Sequence, residues 1–220
     1  LKTSIALSFP RTVKLFDFDM GAHRGAVMHG EKLVLFKYLV AEGIVIHKPM
    51  PLPAKRITTR SAKLSGHKEL WASFIAEYTA DMENKEIGTI VLDTATHEWQ
   101  LCADAVLQEL QELQPFNTPP DKMRKQLIQI EYREPNQRQK TLFGAPRIYG
   151  KRLVLVMHET DERKPMTFDG RPVMSDQGQQ QMMLTGRMVP DGFRETVGLA
   201  DWIFHTDTKI VDKVLTPYVT

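Results

Sequence analysis

Three apolar stretches of this sequence run into residues that can do phosphate chemistry, and so does its first turn. The chain opens Leu1-Lys2-Thr3-Ser4-Ile5-Ala6-Leu7. It looks like the end of a phosphate-binding loop, where the lysine reaches terminal phosphates and the hydroxyl holds Mg²⁺; the competing reading is an ordinary helix N-terminus, and Lys-Thr alone does not decide between them. Later, Thr89-Ile90-Val91-Leu92 runs straight into Asp93. A carboxylate at the tip of an apolar strand is costly unless it serves a metal, a partner or water. It is also the pattern of an acid that holds Mg²⁺ beside a nucleotide phosphate. The competing reading is that Asp93 or Thr94 is simply the N-cap of the helix from Ala95. Two further strands end in Asp17-Phe18-Asp19 and in Met157-His158-Glu159.

The elements that must carry these residues follow from pattern. Residues 2–9 read as a short helix stopped by Pro10. Thr12 to Asp19 reads as a strand, rich in β-branched and aromatic residues and ended by Gly21. The short apolar stretches 33–40 and 43–47 have no secure type, and residues 48–55, with Pro49, Pro51 and Pro53, read as a loop. Helices are expected over 65–84 and 95–113; in the second, Trp99, Cys102, Val106, Leu110 and Leu113 form one stripe. A third, over 136–149, is expected to break at Gly144 and Pro146. Gly88–Asp93 and Leu153–His158 are buried-type strands. Residues 160–181 read as a polar, mobile loop, and 182–188 and 202–206 as later strands. Apolar strands without alternation, separated by helices, indicate an α/β fold with a mainly parallel sheet covered on both faces, a three-layer sandwich. Ligands bind such sheets at the carboxyl ends of the strands.

The 220 residues are 42% hydrophobic and 25% charged, an ordinary globular mix that argues against wholesale disorder. One domain over 1–220 is expected. The longest apolar runs fall short of the roughly 18 residues of a membrane span. A lone cysteine, Cys102, excludes an intrachain disulfide and a multi-cysteine zinc site. With no signal-like start, a cytoplasmic, non-membrane protein is expected. Charge is unevenly spread. Residues 55–68 hold five Lys/Arg and no acid, 69–121 hold eleven acids and one base, and 122–152 hold nine Lys/Arg and two acids. Either these faces pair within the fold or between subunits, or the basic ones meet a polyanion.

Taken together, Lys2 to Pro10, Phe16 to Arg24 (Phe-Asp-Phe-Asp-Met-Gly-Ala-His-Arg), Thr89 to Thr96, Lys151 to Glu162 and Thr185 to Thr196 resemble, in order, the RecA-core branch of the P-loop NTPases. The likeness is greatest to phage-encoded RecA-like ATPases of single-strand annealing and recombination. The family's loop carries glycines before its lysine and follows a central strand, so both are expected upstream of Leu1. The resemblance implies ATP and Mg²⁺ as ligands, with Lys2, Thr3 and Ser4 at the nucleotide and Thr3 and Asp93 at the metal. It implies that Asp19, where RecA itself has Glu, activates the attacking water, with Glu159 the alternative acid. It further implies that His158 and Glu159 sense the γ-phosphate. Arg163, Lys164, Phe168 and Arg171 of the 160–181 segment would contact single-stranded DNA inside a ring or filament. Arg187 and Arg194 would reach a neighbouring subunit's nucleotide, and a single-strand DNA-binding protein is a further implied partner. Two other classes compete: an NTP-binding scaffold with weak hydrolysis, and a small-metabolite P-loop kinase. The kinase would need an arginine-rich lid, and residues 160–181 lack paired arginines.

Overall fold

The computed structural model describes residues 2–9, 12–24, 26–29, 32–53, 63–119, 122–169, 171–174, 181–204, 206–211 and 214–219. Helix α1 (Lys2–Leu7) leads to strand β1 (Thr12–Asp17). A hairpin of β2 (Ala26–His29) and β3 (Lys32–Leu35) follows, then α2 (Phe36–Ala41) and β4 (Val45–Pro49). Next come α3 (His67–Glu83), β5 (Ile87–Asp93), α4 (Ala95–Glu112), α5 (Arg133–Ile148) and β6 (Arg152–Val156). The central sheet is all parallel, in the order β4-β1-β5-β6. Its outer strand β6 pairs with β5 alone among the described residues.

The alternation of side chains along each strand divides the core into two layers. Val13, Leu15 and Val91 face Ala6, Leu7, Phe36 and Leu39 of α1 and α2. Phe16, Ile90 and Leu92 face Trp71, Phe74, Tyr78, Leu101 and Leu142 of α3, α4 and α5. The three-layer α/β arrangement expected from the sequence is therefore present. Phe74 is fully buried and meets Phe16 and Phe18 edge-on, at 5.1 and 5.3 Å between ring centroids. Burying a side chain of this size contributes about 1.5–3 kcal/mol. A charge network is buried in the same layer. Lys14 Nζ lies 2.5 Å from Glu77 Oε1 and 3.4 Å from Asp81 Oδ2, and Lys48 reaches the other oxygen of Glu77. This network ties α3 to β1 and β4.

Helix α5 corrects one expectation, for it runs through Gly144 and Pro146 without a break. Proline has no N–H to give the carbonyl four residues back, here Leu142. The hydroxyl of Tyr78 donates to that carbonyl instead, at 2.9 Å, so the buried acceptor is satisfied from α3.

Residues 160–181 are a second correction. Much of that span is strand: β7 (Glu159–Pro165), β8 (Thr167–Phe168) and β9 (Arg171–Pro172), with 175–180 outside the described residues. Strand β10 (Met182–Pro190) pairs antiparallel with β7 and not with the central sheet. Strand β7 is polar on both faces and so lacks the apolar alternation that would have marked it, whereas β10 covers the strand expected over 182–188. After α6 (Thr196–Leu199), residues 202–204 have no regular structure, and β11 (Thr206–Val211) pairs with β12 (Val214–Val219). No helix among the described residues is long and apolar enough to cross a membrane.

Candidate functional site

In-register parallel pairing brings the strand tips together. Asp17 lies opposite Asp93, and Asp93 opposite Val156. Helix α1 starts at this same edge. Its Thr3 hydroxyl donates to Asp93 Oδ2 at 2.7 Å, and Lys2 Nζ donates to the carbonyl of Met157 at 2.7 Å, just past β6. Lys2, Thr3 and Asp93, ninety residues apart in the chain, thus form one cluster. The capping alternative is resolved as well: Thr94 is the N-cap of α4, its hydroxyl accepting from the N–H of His97 at 3.4 Å, which leaves the Asp93 carboxylate to Thr3.

Asp93 is 2% exposed. Burial pushes its carboxyl above the usual carboxylate range. The Thr3 hydroxyl pulls the other way, the nearby Asp19 and Asp17 add to the rise, and His158 offsets part of it. An acid held this way gains most when a cation arrives, because the cation removes the penalty on its charged form. A hydroxyl and a carboxylate are hard oxygen donors, the set Mg²⁺ takes alongside waters and substrate phosphates. The residues present therefore fit that ion. No group of three His, Cys, Asp or Glu side chains stands close enough to hold a metal among the described residues, so the protein donors alone would not cage one.

The two acids of the first strand part company. Asp17 ends β1 and is buried, whereas Asp19 lies in the following turn and is exposed. Asp19 Oδ1 accepts from the Gly21 N–H at 2.7 Å, which fixes the carboxylate over the turn. Gly21 has to be glycine for this approach: a Cβ there would sit 2.7 Å from that same oxygen. His158 follows β6, and its N–H donates to the Thr96 hydroxyl at 3.1 Å. Thr96 in turn donates to the carbonyl of Asp191, and Asp191 N–H donates back to the carbonyl of His158. The His158 and His97 rings lie 5.7 Å apart between centroids. Glu159 opens β7 and Ser4 lies within α1.

The other expected site residues stand apart from this cluster. Arg163 and Lys164 are on β7, Phe168 on β8 and Arg171 on β9; Lys164 pairs with Glu162. Lys164, Phe168 and Arg171 are exposed, as are Arg163 and Arg187, the latter on β10, and Arg194 on the turn after it. The basic segments are partly consumed inside the fold. Lys68 pairs with Glu112, Arg138 with Glu109, and Lys151 caps the carbonyls of Asn84 and Ile87. Residues 55–62 of the first basic segment lie outside the described residues.

Sequence reading passed over His47, which contacts Asp17, and His97 and Thr96, which contact His158. His47 was findable: it sits near the carboxyl end of a parallel strand, but Gly43–His47 was too short to type. No protein-family model, curated protein or solved structure matches this chain, so the reading of the site rests on its own geometry and chemistry.

Proposed function

We propose that this chain binds Mg·ATP at the carboxyl edge of its parallel sheet and hydrolyses it, as a RecA-like P-loop NTPase. We further propose that hydrolysis is coupled to single-stranded DNA in phage-type recombination, annealing or replication, with the chain assembled as a ring or filament. The observation that carries the reading is the 2.7 Å hydrogen bond from Thr3 to Asp93. It joins the two residues assigned to one metal ion, and it does so at the strand edge where α/β sheets bind ligands.

In this reading Lys2 supplies positive charge to the β- and γ-phosphates, and Ser4 lies in the same first turn. Thr3 and Asp93 would hold Mg²⁺, which when bound would supply positive charge beside the phosphates. Asp19, exposed and anchored through one oxygen, accepts the proton of the attacking water. His158, next in sequence to the Met157 whose carbonyl takes Lys2, senses the terminal phosphate in this reading. The exposed Arg163, Lys164, Arg171 and Phe168 supply phosphate contacts and a stacking surface for DNA. Arg187 and Arg194 are left for a neighbouring subunit. The hydrolytic step is tested by Asp19→Asn. Affinity for ATP stays within about threefold, while turnover falls on the order of a hundredfold, as loss of a positioned base requires. Unchanged turnover would remove Asp19 from the mechanism and turn attention to Glu159.

A further inference from the structure

Asp17 is 1% exposed, yet four polar groups converge on it. Its Oδ1 accepts from the Gly21 N–H at 3.2 Å. Its Oδ2 accepts from the Ala22 N–H at 3.3 Å and contacts His47 Nε2 at 3.0 Å. Its carbonyl accepts from the N–H of Met50 at 2.8 Å, which binds the tip of β1 to the tip of β4. A carboxylate only accepts, so the His47 nitrogen facing it carries the proton. His47 is itself held edge-on by Phe36, at 5.0 Å between centroids.

The Gly21 N–H is shared, for it also donates to Asp19 Oδ1. The place of the exposed Asp19 carboxylate therefore depends on how the buried Asp17 holds the turn between them. At the apex of that turn Met20 is exposed, while Ala22 at its end packs in the core. Met20 also takes φ +60°, a conformation that side chains other than glycine adopt only when neighbouring bonds hold them there.

We propose that His47 and Asp17 are a positioning pair: His47 orients the Asp17 carboxylate, and Asp17 fixes the Met20–Ala22 turn that aims Asp19. Groups that orient a reacting residue from behind shift activity by about 10–100-fold when removed. The consequence for turnover rests on the hydrolytic reading above, whereas the consequence for the turn does not.

The experiment compares wild type with His47→Ala and His47→Gln, using amide hydrogen exchange on the nucleotide-free protein and steady-state ATP hydrolysis. The glutamine side chain of the second variant keeps an N–H donor at comparable reach. In His47→Ala, the Gly21 and Ala22 amides should exchange at least about tenfold faster while those of β5 stay as in wild type. Turnover should fall about tenfold with the KM for ATP within about twofold, and His47→Gln should recover most of both losses. If the exchange of Gly21 and Ala22 is unchanged in His47→Ala, the positioning pair is overturned, whatever the hydrolysis shows. A wild type that hydrolyses no ATP, with exchange behaving as expected, would overturn the hydrolytic reading and keep the pair. Faster exchange with unchanged turnover in an active enzyme would confine His47 to a structural role and overturn the positioning of Asp19. Equal acceleration of exchange throughout β5 would mean general loosening, and would overturn it too.

Discussion

At the scale of single residues, Asp93 carries two opposed duties. It must be an anion to hold a cation, yet it is buried where an anion is disfavoured. Its raised pKa has a definite sign. Burial disfavours the charged form in the folded, ligand-free protein, so stability is lost as pH rises through the folded-state pKa. Asp93→Asn should therefore raise the Tm of the nucleotide-free protein at neutral pH by about 2–4 °C, the shift that on the order of 1 kcal/mol gives a chain of this size. The gain should vanish in acid, where Asp93 is already neutral, and Mg²⁺-dependent nucleotide binding should be lost. Calorimetric melts from acid to neutral pH would show this; a variant less stable than wild type at neutral pH would contradict it. That Asp93, Thr3 and Lys2 come to one strand edge was legible in the sequence, because each stands at an element boundary. The buried role of Asp17 was not. Asp17 and Asp19 look alike as residues two apart on a strand, but the strand ends between them, leaving one inside and the other in water.

At the scale of elements, α3 and α4 were readable because their apolar residues keep a helical period, and β5 because it is one continuous apolar run. Helix α5 was not, because what permits Pro146 is a hydroxyl on another helix. A contact between α4 and α5 was equally invisible. Gln139 on α5 donates to Glu98 on α4 at 2.6 Å, and both side chains are fully buried. Burial pushes the Glu98 carboxyl up to about 8, with the Gln139 bond pulling only partly back. Glu98 is therefore neutral at pH 7, and its second oxygen and the Gln139 carbonyl are the two atoms of the pair left without another partner. For an acid whose folded pKa is raised, the associated stability is full below the unfolded value of 4.5 and declines as pH rises to about 8. Glu98→Gln should flatten that decline. Urea unfolding between pH 4.5 and 8 would test it: parallel curves for the two proteins would mean that Glu98 is ionised in the fold.

At the scale of the whole molecule, a parallel three-layer body presents its strand tips on one edge and carries the β7–β10 ribbon directly after His158. Of the ribbon's two strands, β10 was legible over 182–188, whereas β7, built of polar residues on both faces, was not; a two-stranded ribbon has little stability of its own. Its exposed Arg163 and Lys164, with Arg171 and Phe168 beyond them, make a specific expectation. Single-stranded oligonucleotides should bind in preference to duplex, and more tightly with a non-hydrolysable ATP analogue. Affinity should fall steeply with salt as neutralised phosphates release counterions, and the triple change of these basic residues to alanine should flatten that slope. Fluorescence anisotropy across a salt series reads all of this, and an absence of binding at low salt with nucleotide present would contradict it. The functional account depends on one claim, that the cluster of Lys2, Thr3 and Asp93 is a nucleotide site. Titration calorimetry of Mg·ATP into wild type and Lys2→Ala tests it most directly. Saturable binding to wild type that Lys2→Ala removes, with the variant's Tm unchanged, is the predicted result; equal heats from both proteins, or none from a folded wild type, would contradict it.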